Sequence, residues 1–130
     1  MMHVMDSSSL LALTRGERGF ETVQELIHRE DCVISSVNMA EVGTKLIEYG
    51  LPPGELPRIV QQFQIDVIDF NTEQAILSAQ MRPLTRAAGL SMGDRACLAL
   101  TKLVAGIAVT TDQAWQDVRI SADVQVLMIR

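Results

Sequence analysis

With 130 residues, 48% hydrophobic and 21% charged, the chain has the composition of one globular domain, expected to span 1–130, with a substantial core. A net charge of −5 argues against a protein that coats nucleic acid by general electrostatic attraction, but not against an acidic pocket whose field a bound cation inverts. Two histidines, His3 and His28, and two widely spaced cysteines, Cys32 and Cys97, argue against a histidine triad or a zinc site. The cysteines read as buried, reduced thiols of a cytoplasmic protein.

Residues 1–13 lack a basic stretch and are interrupted by Asp6 and three serines, so neither a signal peptide nor a membrane span is expected. Residues 3–5 read as a first strand that stops at Asp6, and 7–13 as a short helix. Phe20, Val23 and Ile27 stand at helical spacing within 17–29. A second strand follows at 32–35. Met39, Val42, Leu46 and Tyr49 form the apolar stripe of a helix over 38–49 that Gly50 ends. Pro52, Pro53 and Gly54 mark a loop before a short helix at 55–63 and a third strand at 66–70. Residues 72–88 read as a helix broken near Pro83, where a backbone donor is lost, and capped by Gly89. Helix 91–104, strand 107–110, a helical turn at 113–118 and strand 124–129 complete the chain. This alternation predicts an α/β fold, with a mainly parallel central sheet of four to five strands flanked by helices on both faces.

Right-handed crossovers place the site of such a fold at the carboxyl ends of its strands. Asp6 follows the first strand and Asp112 the fourth, while Glu41 and Asp94 lie in the first turns of two helices. Each acid has an ordinary explanation. Asn38-x-x-Glu41 and Ser91-x-x-Asp94 fit a capping box or nearly so, and Asp6 and Asp112 stand where N-caps are expected. Together, four acids at corresponding ends of different elements, with no nearby lysine, suit a pocket for a cation.

Four segments carry a family resemblance: Asp6-Ser7-Ser8; Ser35-x-x-Asn38-x-x-Glu41; Gly89-Leu90-Ser91-Met92-Gly93-Asp94-Arg95-Ala96-Cys97; and Thr110-Thr111-Asp112. They resemble the acidic motifs of PIN-domain nucleases, most closely the VapC-type toxins of toxin–antitoxin modules. The run from Gly89 to Leu100 is the most specific of them. The resemblance implies a PIN-like fold and an endoribonuclease that hydrolyses RNA phosphodiester bonds with metal-activated water. It implies that Asp6, Glu41, Asp94 and Asp112 hold Mg²⁺, or Mn²⁺ as a substitute, with Glu41 acting directly or through water. Ser7 and Thr110 would be hydroxyl neighbours that orient carboxylates, and Asp117 is the one candidate for a fifth acid. The same resemblance implies a cognate antitoxin and a homodimer.

Hard oxygen donors select Mg²⁺ or Mn²⁺ over softer metals. Arg82, Arg86 and Arg95 are candidates for holding RNA phosphates, against the alternative of solvated helix arginines. Trp115 could stack on a base, although packing is the simpler reading. Two other functions compete. A Mg²⁺ phosphatase of the haloacid dehalogenase kind wants Asp-x-Asp after the first strand, but Ser8 occupies the second position. A non-catalytic interaction module on the same scaffold would have no need of all four acids.

Overall fold

The computed structural model describes residues 1–117 and 123–130. Five strands, β1 (His3–Met5), β2 (Cys32–Ser35), β3 (Asp66–Ile68), β4 (Ile107–Thr110) and β5 (Gln125–Met128), form one sheet in the order β3-β2-β1-β4-β5. Every neighbouring pair is parallel, with Met5 aligned to Ile34 on one side and to Val109 on the other. The fold is α/β, as the strand–helix alternation predicts. Among the described residues no helix is long and apolar enough to cross a membrane.

Alternation along the strands sends side chains to opposite faces. Val4, Val33 and Ala108 pack with Leu98, Leu100 and Trp115 on one face. Met5, Ile34 and Val109 pack with Leu10, Val23 and Val42 on the other. The second face is covered by α1 (Ser7–Arg15), α2 (Phe20–Arg29), α3 (Ser36–Glu48) and α4 (Leu56–Gln62), which lie between β1 and β3 in sequence. The chain then crosses back over the first face through α5 (Thr72–Gln80), α6 (Arg82–Thr85) and α7 (Met92–Leu103) to reach β4 beside β1. Strand order reverses between β1 and β4, and in open parallel sheets the carboxyl ends at such a point are where sites form.

Several boundaries differ from those the sequence pattern predicts. The helix expected from 17 begins at Phe20, because Gly19 takes a left-handed φ of 97° and its bare Cα lies against the Ile129 carbonyl. The helix expected over 72–88 is two helices separated at Met81, with Pro83 near the start of the second, followed by a turn that Gly89 completes at φ 70°. A 3₁₀ turn, Pro53–Glu55, precedes α4. Of the turn expected over 113–118, Val118 lies outside the described residues, and 115–117 are helical. Cys32 and Cys97 are both buried and free.

Candidate active site

Asp6 caps α1 and is 3% exposed. Its Oδ1 accepts from Ser9 N at 2.8 Å and Ser8 Oγ at 2.7 Å, and its Oδ2 accepts from Thr110 Oγ1 at 2.6 Å. The Ser9 hydroxyl lies 2.9 Å from the same Oδ1 and 2.6 Å from the Val109 carbonyl, between which its one hydrogen must choose. Burial pushes the Asp6 carboxyl above its ordinary range, and the hydrogen bonds from Thr110, Ser8 and Ser9 oppose that shift. The hydroxyls on Asp6 are thus those of Ser8, Ser9 and Thr110. Among the described residues Ser7, half-buried at the start of α1, makes no hydrogen bond to it.

Two backbone amides that donate to these same hydroxyls tie Asp6 to the residues at the end of β4. Thr111 N donates to Ser8 Oγ at 3.1 Å, and Asp112 N donates to Thr110 Oγ1 at 3.0 Å. Asp112 itself is exposed, and its Oδ1 accepts from Ala114 N at 3.0 Å, which closes a tight turn. Asp94 completes a true capping box, its Oδ2 accepting from Ser91 N at 2.9 Å while Ser91 Oγ accepts from Asp94 N at 3.2 Å. Its carboxyl is raised first by burial, opposed by the Ser91 bonds, and raised further by the charge of Asp112. Asp94 and Asp112 therefore share one field.

Glu41 does not belong to a capping box. The N-cap of α3 is Ser35, whose side chain accepts from Val37 N, so Asn38 lies inside the helix. Asn38 instead donates from Nδ2 to Glu41 Oε1 and to the Gly93 carbonyl, each at 2.9 Å. The Glu41 carboxylate lies over the bare Cα of Gly93, one residue from Asp94. Cys97, fully buried below, has its thiol pushed well up by burial and by the charges of Asp6, Asp94 and Glu41. The spacings of Ser8 and Ser9 to Asp6 and of Asn38 to Glu41 fit local side-chain bonding, whereas the place of Gly93 depends on how α3 and α7 pack.

No ion pair among the described residues includes Asp6, Glu41, Asp94 or Asp112. Carboxylates gathered on one rim, with no ion pair to them among the described residues, suit a hard divalent cation. Among the described residues no three His, Cys, Asp or Glu side chains stand close enough to enclose a metal. Mg²⁺ keeps several waters and takes only one or two direct carboxylates, so an open rim of this kind fits it.

The arginines are placed differently. Arg95 Nη1 donates to the Ser78 carbonyl on α5 at 3.2 Å, and its Nε is buried without a partner among the described residues. Arg82 is exposed and its Nη1 lies 3.4 Å from the Leu90 carbonyl, while Arg86 is exposed in the turn before Gly89. Asp117 is exposed in the helical turn 115–117, and it is not among the charges that shift Asp94 or Cys97. Trp115 is fully buried in the core, where no base can stack on it.

A sequence search among curated proteins found no match. Solved structures of similar fold include VapBC2 of Rickettsia felis bound to a promoter DNA fragment, at a TM-score of 0.74 and 13% identity, covering 98% of both chains. DNA-bound VapBC of Salmonella typhimurium aligns at 0.73 and 17% identity, covering 100% of this chain and 99% of the other. A toxin–antitoxin complex from Klebsiella pneumoniae aligns at 0.72 and 19% identity over 98% of both chains. The model of the PIN domain family matches residues 4–120, from β1 through the turn beyond Asp112, and the chain belongs to that family.

Proposed function

We propose that the chain is a divalent-cation-dependent endoribonuclease and acts as the toxin of a toxin–antitoxin pair. The observation that carries this reading is the acidic rim, in which the Thr110 hydroxyl joins Asp6 to the Asp112 amide, Glu41 lies over Gly93 next to Asp94 in sequence, and no ion pair among the described residues includes any of the four acids. The structural relatives named as VapBC and toxin–antitoxin complexes support an antitoxin partner. A cytoplasmic homodimer belongs to the same proposal.

In this reading Asp6, Asp94 and Asp112 hold Mg²⁺ or Mn²⁺, with Glu41 contributing directly or through water. The cation supplies charge neutralisation at the phosphodiester and acidifies water for attack on phosphorus. The chain supplies the placement. Hydrogen bonds from Ser8, Ser9 and Thr110 fix both oxygens of Asp6, and the Ser91 amide fixes Asp94. Arg82 and Arg86 are the exposed phosphate candidates, whereas the Arg95 guanidinium is directed to α5. Substrate RNA is approached from solvent at the carboxyl edge of the sheet.

Cleavage of mixed RNA by the purified chain, with EDTA and then with Mg²⁺ or Mn²⁺ restored, tests the reading. Asp6→Ala and Asp94→Ala should abolish cleavage while the variants remain folded by circular dichroism. Undiminished cleavage in either variant, or full activity in EDTA, overturns the assignment. Saturable metal binding without cleavage of any RNA would favour the non-catalytic interaction module.

A further inference from the structure

We propose that Asn38 is a positioning residue that holds the Glu41 carboxylate against the first turn of α7. The inference rests on reading the acidic rim as a divalent-cation site. Asn38 is 1% exposed, and its amide nitrogen lies 2.9 Å from both Glu41 Oε1 and the Gly93 carbonyl. Both partners are acceptors only, so the amide must present NH₂ to them and both of its hydrogens are used. Its Oδ1 is left buried without a partner among the described residues. A position that only filled the space between α3 and α7 would be served better by an apolar side chain, because a buried unpaired oxygen is destabilising.

The arrangement has a specific product. Asn38 spans from α3, which packs with the core of one sheet face, to α7, which packs with the other. Glu41 is thereby ordered over Gly93, the residue before Asp94, by a neutral donor, in the absence of any ion pair to it among the described residues. A lysine or arginine in the same place would order Glu41 equally well but would compete with a cation for its charge. The neutral amide orders the carboxylate and leaves its charge available. Gly93 completes the contact, since any side chain there would occupy the space of the carboxylate.

A double-mutant cycle read by Mn²⁺ affinity in calorimetry tests this. Asn38→Ala should weaken Mn²⁺ binding about 10-fold or more, the scale expected for a partner that orients a ligand. Asn38→Asp, which keeps the volume but turns a carboxylate towards Glu41 and the Gly93 carbonyl, should weaken it at least as far and carries the comparison if the alanine variant melts. In a Glu41→Ala background, Asn38→Ala should change the affinity less than about twofold, because the group it acts through is gone. Wild-type affinity in Asn38→Ala, or the same loss with and without Glu41, overturns the role of Asn38 alone. Absence of saturable Mn²⁺ binding by the wild-type chain overturns the cation-site reading itself, and this inference with it.

Discussion

The Thr110 hydroxyl joins Asp6 and Asp112. Its oxygen lies 2.6 Å from Asp6 Oδ2 and 3.0 Å from Asp112 N, so the amide donates to it and its own hydrogen goes to the carboxylate. The contact is a charge-assisted bond between residues 104 apart in sequence, made possible because β4 pairs directly with β1. It sets the rotamer of a buried acid and the path of the turn that presents an exposed one.

Thr110→Val keeps the volume and removes both roles. A hydrogen bond to a charged group is lost and the Asp112 amide loses its partner, so about 1.5–3 kcal/mol of stability should go, measured by urea unfolding in the absence of metal. Metal-dependent cleavage should fall about 10–100-fold, as for other residues that orient a ligand. Thr110→Ser, which keeps the hydroxyl, should stay close to wild type. Full activity in the valine variant would remove Thr110 from the account.

Gly93→Ala should act almost entirely on Glu41. A Cβ at Gly93 would lie 2.6 Å from Glu41 Cδ, and the end of that side chain is what must give way. The fold should therefore survive with a melting temperature within a few degrees of wild type, while Mn²⁺ affinity and cleavage both drop. Collapse of the fold, or unaltered metal affinity, would show that Glu41 is not held as described.

The strands and helix α7 were legible because local signals suffice for them. Ile34 and Val109 sit in short runs rich in β-branched residues, and Ser91-x-x-Asp94 is a capping box in fact as well as in pattern. The capping alternative for Glu41 is not decided by sequence, because an acid three residues after Asn38 has the same spacing whether the asparagine caps the helix or lies inside it. Only the start of α3 at Ser36, capped by Ser35, separates the two. The direction of Arg95 was illegible for another reason. Its position on α7 follows from periodicity, but the carbonyl it finds, that of Ser78, depends on how α5 packs. Ser8 and Ser9 bind Asp6 through local spacing, and only the Thr110 bond depends on β1 and β4 being neighbours.

Trp115 separates packing from base stacking. It is fully buried among Val4, Leu98 and Val124, so Trp115→Ala should cost about 3–5 kcal/mol, the usual result of emptying a large aromatic site. Trp115→Phe should cost less and leave KM for RNA unchanged. A stable alanine variant with a raised KM would instead reveal a stacking surface.

Asp94 gives the pH test. Burial, then the charge of Asp112, hold its carboxyl above the ordinary value of 3.8 despite the bonds from Ser91. Between that value and the raised one the folded chain keeps a proton that the unfolded chain has released. The protonated acid therefore contributes stability that is fully present below 3.8 and is lost as pH rises through the folded value. At pH ~7 the ionised group weighs against the fold. Asp94→Asn retains an oxygen to accept from Ser91 N and removes the charge, so in EDTA at neutral pH it should melt a few degrees above wild type. The difference should shrink towards zero as the pH is lowered and the wild-type acid protonates. Metal should reverse the order. A cation at about 100 times its dissociation constant stabilises the folded state by about 2.7 kcal/mol, and the variant should lose most of that gain. An Asp94→Asn protein less stable than wild type in EDTA at neutral pH, or one with the same metal-induced rise, would mean that Asp94 serves α7 as a cap and nothing more.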